Sequence, residues 1–297
     1  MRQAVEQRLL SPVIVVDNSE GTPAFPCVRR EKGEPAVIHL QTAYLEHLWA
    51  FLFGWFVLFE EAVQKPILKS GETLGAIVFD TRLKCRAQEL LNWAESLRSA
   101  YSPWPPGLPT PHSDTGDEGD YARKTNRLFT DAVAYLLHHE FTHATQKHLG
   151  LKPHESTEAG IAARDASEVE MENEADDTAF GALIAQHDDG LARRAKAWGI
   201  LAPSLAKLSL VERPSQLFSK THPAAHHRVQ HALTRLDLQD KQSSYYFHHL
   251  VSIILGELLR RLSTGQRDQQ TYDTAEDAVQ AMLDELDAFA SAKEKHS

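Results

Sequence analysis

Residues 136–143 read LLHHEFTH and contain a His-Glu-x-x-His spacing, His139-Glu140-Phe141-Thr142-His143. On a helix, residues four apart share a face, so both imidazoles can reach one metal ion. Glu140 sits one position round, where its carboxylate can reach a water beside the metal rather than the metal itself. It can take that water's proton as the oxygen attacks a carbonyl, then deliver the proton to the leaving amine. Five-residue matches also arise by accident, the more so in a chain with 16 histidines. His138 and His148 fit a polar helix face as well as they fit a site.

A catalytic zinc centre usually takes three protein ligands and leaves one position open. The stretch EVEMENEADDTAFGALIA (168–185) offers the third as Glu172. Asp176, one helical turn on, suits the task of orienting a ligand imidazole through its other ring nitrogen. Glu170, Glu174 and Asp177 compete for these positions, and a solvated acidic face is the plain alternative for each. A further piece is THPAAHHRV (221–229), where His222 or Arg228 could stabilise the oxyanion of a tetrahedral intermediate. His222 could equally be a helix cap. Two imidazoles and a carboxylate with an open position suit Zn²⁺, and would also suit a ferrous facial triad. Glu140 beside the ligands favours hydrolysis.

Several elements must position these residues. Phe129, Val133, Leu136 and Leu137 give 128–149 an apolar side and predict a helix there. A polar link is expected over 150–167 and a second helix over 168–187. Further helices are expected at 191–211, 226–236, 244–263 and 274–292. Upstream, PVIVV (12–16), AVIHL (36–40) and GAIVF (75–79) have strand composition, separated at first by the turn residues Gly21, Pro23, Pro26, Gly33 and Pro35. A helix follows over 42–63 and an amphipathic one over 81–101. The segment 102–120, rich in proline and acid, reads as a loop and as the best boundary. The organisation expected is therefore 1–101, a small sheet with apolar and amphipathic helices; 102–125, the loop; and 126–297, a helical metallopeptidase region packed with the first part as one unit. The fold class is α+β and predominantly helical, a small N-terminal β-sheet leading into a zincin-like helical core.

The net charge of −10 and the lack of a basic cluster argue against nucleic acid as a partner. Two cysteines, Cys27 and Cys85, build no disulfide framework. The start MRQAVEQRLL has no secretory apolar region, so the cytoplasm is the expected location. LWAFLFGWFVLF (48–59) is an uncharged run of twelve residues, too short to span a bilayer. A core helix is expected, with peripheral membrane or partner contact as the alternative.

Taken together, HEFTH (139–143), ENEAD (172–176) and THPAAHHR (221–228) resemble the gluzincin metallopeptidases, including the CAAX-prenyl and heat-shock peptidase group. There a Glu-x-x-Ala-Asp element supplies the third ligand and a later His-Pro, with Arg six residues after the His, lies beside the site. The chain is more closely similar to the Lit family of phage-exclusion proteases. The likeness also takes in LEHLWAFLFGWFVLFEEA (45–62), LLNWAESL (90–97) and WPP (104–106). It implies a zinc protease with His139, His143 and Glu172 as ligands and Glu140 as base, nearly silent until phage infection. It further implies activation by a phage capsid-derived peptide bound with elongation factor Tu, and cleavage of that factor. Low basal activity then reflects an assembled ligand set whose substrate access waits on a partner. A non-catalytic metal-binding regulatory protein, or a heat-shock-type peptidase with another substrate, are the rival readings.

Overall fold

Between the prolines and glycines of the N-terminal segment the chain folds into three short strands. The computed structural model describes residues 2–70, 79–146, 148–149, 158–184, 190–219, 222–238, 240–263 and 270–294. A one-turn helix α1 (Arg2–Glu6) precedes β1 (Val15–Asp17), β2 (Cys27–Arg29) and β3 (Val37–Gln41), in the sheet order β1-β3-β2. β2 and β3 are antiparallel, with Cys27 opposite His39 and Arg29 opposite Val37. Three residues between turn-formers are too few to carry a periodic signal, which is why β2 was not expected. The strand expected over 75–79 lies, apart from Phe79, outside the described residues.

The helices follow: α2 (Thr42–Phe59), a π-helical turn at Glu60–Gln64, α3 (Lys65–Ser70), α4 (Arg82–Ser96), α5 (Gly116–Thr145), α6 (Glu158–Leu183), α7 (Gly190–Ser209), α8 (Ala225–Leu236), α9 (Lys241–Leu262) and α10 (Ala275–Glu294). A small sheet ahead of a largely helical core is the α+β class expected. Two helix starts differ most from expectation. Helix α5 begins at Gly116 rather than beyond 120, because Asp117 and Glu118 in its first turn complement the helix dipole. Helix α6 begins at Glu158, where Ala159, Ala162, Ala163 and Ala166 favour helix over a link; residues 150–157 of that link lie outside the described residues.

The chain forms two compact units. One comprises residues 16–25 and 40–133. Its centre is α2, whose Trp49, Phe51, Phe53 and Phe59 are fully buried, packed against α4. Gly54 makes the close approach possible, since a Cβ there would stand 3.0 Å from the Leu91 Cβ and 3.2 Å from the Ala87 carbonyl oxygen. The stretch Thr42–Ile67 is long and apolar enough to cross a membrane, but 78% of its most apolar window is buried inside the protein. That burial fits a core helix. The loop before α5 is anchored: Trp104 lies with ring centroids 4.7 Å from Trp93 and 5.7 Å from Trp49. Trp49 Nε1 donates to Asn126 Oδ1 at 2.7 Å, and Asn126 Nδ2 donates to the Pro111 carbonyl at 2.9 Å.

The other unit comprises residues 1–15, 26–39 and 134–297. Within it α7 packs on α8 and α9, and α9 on α10. Its strand β2 is followed by Arg30, whose Nη2 donates to the Leu9 carbonyl at 3.0 Å and to the Ala144 carbonyl at 2.9 Å. A cation at the last turn of α5 complements the helix dipole there. This ties the sheet to the helix that carries the His-Glu-x-x-His residues.

Candidate metal centre

Tyr135, His139 and His143 recur every four residues along α5, and Glu172 and Asp176 do the same on α6. Ala175 and Ala179 on α6 are fully buried beside them. His139, His143 and Glu172 come together with their ligand atoms within 4.8 Å of one another. His139 Nε2 lies 3.1 Å from His143 Nε2 and 3.3 Å from Glu172 Oε2, and His143 Nε2 lies 3.4 Å from Glu172 Oε1. A tetrahedral zinc with bonds of about 2.0–2.1 Å sets its ligands roughly 3.3–3.4 Å apart. The donor types and separations fit one such ion.

Asp176 underpins the arrangement. Its Oδ1 accepts from His139 Nδ1 at 2.9 Å, from the Tyr135 hydroxyl at 3.1 Å and from Arg228 Nη2. A carboxylate on Nδ1 fixes that nitrogen as the protonated one and leaves the Nε2 lone pair for a metal. Burial opposes a charge on Asp176, but Arg228 and His139 outweigh it and hold the carboxyl well below its ordinary range. Arg228 is thus placed on Asp176, beneath the ligand. His222 is half-exposed, with Nε2 3.3 Å from Glu172 Oε1.

Glu140 is buried. Burial pushes its carboxyl up to about 7, with Glu172 adding to the shift while His139 and a hydrogen bond from the Val28 backbone oppose it. On Glu172, burial is outweighed by His139, and the carboxyl is held down at about 2. Burial and the neighbouring His139 lower His143 to about 4.

Three contributors were not singled out from sequence. Tyr135 carried a readable signal, since it stands one turn before His139 on the same face. The Val28 backbone carried none. Neither did Lys207 of α7, half-buried near these charges, with its ammonium pushed down by burial and by Arg228. Glu174, one of the competing acids, faces His148 instead, with Oε2 3.2 Å from its Nε2. Asp177 pairs with Arg235.

A second set, His226, His227 and Asp287, also gathers within metal-ligand reach. There His226 Nε2 and His227 Nε2 lie 3.0 Å and 2.7 Å from the same Asp287 Oδ1. These are ordinary hydrogen-bond lengths, shorter than the separations at the first cluster, and they clip α8 to α10.

The pattern of the family described as Peptidase U49 matches residues 38–250, a span that includes every residue from His139 to Arg228. The "Cell death peptidase" of Escherichia coli (strain K12) is 27% identical over 204 residues, which cover 68% of this chain and 63% of that protein. The match therefore spans less than two thirds of that relative's length. No solved structure matches the chain. With the family pattern running through most of the chain, and through the whole of the His139–Arg228 cluster, the protein belongs to the Peptidase U49 family, the group of the Lit-type phage-exclusion proteases.

Proposed function

We propose that the protein is a zinc-dependent endopeptidase with Glu140 as its general base. The observation that carries this reading is the convergence of His139, His143 and Glu172 at tetrahedral separations, with the buried Glu140 beside them. Zinc bound to these three residues would supply Lewis acidity toward a peptide carbonyl and acidify water at neutral pH.

The chain's own groups do the rest. The Glu140 carboxylate, kept near neutral pKa by burial, takes the proton of the attacking water and returns it to the departing amine nitrogen. Asp176 holds the His139 ring in the orientation and tautomer that turn Nε2 inward. Arg228 acts through Asp176, balancing its buried charge, and is a positioning residue. His222, open to solvent at the rim, is the donor available to the developing oxyanion.

Elemental analysis of protein purified without added metal should find about one zinc per chain, lost in His143→Ala. Glu140→Gln should keep the zinc and lose roughly 10²–10⁴ in peptide cleavage. A Glu140→Gln protein that cleaves like wild type would remove the base from the mechanism. A folded wild type that takes up no zinc would remove the reading itself and favour a regulatory protein.

The finer reading rests on the family resemblance. The substrate is a protein, elongation factor Tu, cut in the cytoplasm once a phage capsid-derived peptide is bound to it; nucleic acid takes no part, and membrane contact is not expected. Incubating the purified chain with the factor, with and without the peptide, tests this on a gel. Fragments only in the presence of peptide are expected. An intact factor in both lanes, alongside cleavage of other polypeptides, would overturn the substrate and leave the metallopeptidase standing.

A further inference from the structure

The two histidines of the cluster are held by different means. His139 has Asp176 on its Nδ1, whereas the Nδ1 of His143 meets another imidazole, with His148 Nδ1 3.0 Å away. The far side of that ring continues to a carboxylate, His148 Nε2 lying 3.2 Å from Glu174 Oε2. The His148 side chain is only 6% exposed while Glu174 is 54% exposed, so the chain of contacts runs from the site to the surface.

Two nitrogens at hydrogen-bond distance can bond only if one carries a proton and the other does not, and the surroundings decide which. His143 turns Nε2 toward His139 Nε2 at 3.1 Å and Glu172 Oε1 at 3.4 Å. An Nε2 that offers a lone pair to a metal puts the ring proton on Nδ1. His143 Nδ1 is then the donor and His148 Nδ1 the acceptor. His148 must in turn carry its own proton on Nε2, where Glu174 accepts it. Each tautomer follows from the one before, and all three contacts are satisfied in one direction only.

We propose that His148, anchored by Glu174, is the positioning residue for His143, holding its ring and tautomer for zinc as Asp176 does for His139. On this assignment the ENEAD pentapeptide supplies a ligand in Glu172 and supports for both ligand histidines in Glu174 and Asp176. A mobile or wrongly protonated His143 would present N–H rather than a lone pair to the metal. Partners of this kind are commonly worth 10–100-fold in metal affinity.

The inference rests on the zinc reading above, and the experiment separates the two. Zinc affinity is measured by competition with a chromophoric chelator, and the visible spectrum of the Co²⁺-loaded protein is recorded. Both are taken for the full-length wild type, His148→Phe, His148→Asn and Glu174→Ala. His148→Phe keeps a ring but no acceptor, and should weaken zinc binding by about 10–100-fold and alter the Co²⁺ bands. His148→Asn places an amide oxygen near the acceptor position and should restore most of the affinity, which a purely packing role would not predict. Glu174→Ala, at an exposed position, should weaken binding several-fold and decides the matter if His148→Phe does not fold. Unchanged affinity and spectrum in a folded His148→Phe, or in Glu174→Ala should that variant stand alone, would overturn the relay. A wild type that binds no zinc would overturn the zinc reading instead.

Discussion

Asp176 collects three donors on one buried oxygen, and these donors have separable tasks. His139 needs the carboxylate for its orientation, whereas Arg228 needs it as a counter-charge. Asp176→Asn removes the charge from both. Zinc affinity is expected to fall by about 10–100-fold, and stability by about 3–5 kcal/mol because the buried guanidinium is left uncompensated. Replacing both partners, Asp176→Asn with Arg228→Met, removes the stranded charge and should recover much of the stability without recovering the affinity. Denaturant unfolding alongside zinc competition checks this. If stability does not recover in the double variant, Arg228 has no charge-balancing role.

At the scale of elements, the sharpest constraint outside the site is the approach of α2 to α4 at Gly54. A Cβ would meet Leu91 and the Ala87 carbonyl at 3.0–3.2 Å, one of them immovable backbone. Gly54→Leu must push the helices apart through a core of Trp49, Phe51 and Phe53, and is expected to cost about 1–3 kcal/mol or more. Thermal unfolding reads it directly, and an unchanged midpoint would mean the helices slide freely there. The same elements show what sequence could and could not reveal. Residues four apart on one helix are legible because side-chain spacing is local, so His139 with His143 and Glu172 with Asp176 could be read from α5 and α6 alone. Which acid faced the histidines was open until the helices met, because Glu170, Glu174 and Asp177 offer the same chemistry one or two positions away. The Val28 N–H beside Glu140 and the Arg30 clamp on the Ala144 carbonyl were illegible. They depend on a three-residue strand folding back over more than a hundred residues of chain, and a backbone N–H has no sequence signature. The segment read as a loop over 102–120 is irregular only as far as Thr115, and its anchoring was not legible, since that depends on Trp104 finding Trp93 and Trp49.

For the whole molecule, zinc should act unevenly. Its three proposed ligands all belong to the unit formed by residues 1–15, 26–39 and 134–297, while α2 and α4 belong to the other. A ligand that binds only the folded state adds RT ln(1 + [L]/Kd), about 2.7 kcal/mol at a hundredfold excess over Kd. That free energy reaches only the openings that release the ion. Amide exchange measured with and without zinc should therefore slow in α6 and in the last turns of α5, where local opening exposes the ligands, and change little in α2 and α4. His143→Ala should abolish the difference. Slowing of equal size in α2 and α4 would show that the two units open only together, making a single unfolding free energy meaningful for the chain. No slowing in α6 in a zinc-loaded wild type would mean the ion is not held by Glu172 or by any other acid of α6, and the third ligand would then have to be sought on another element.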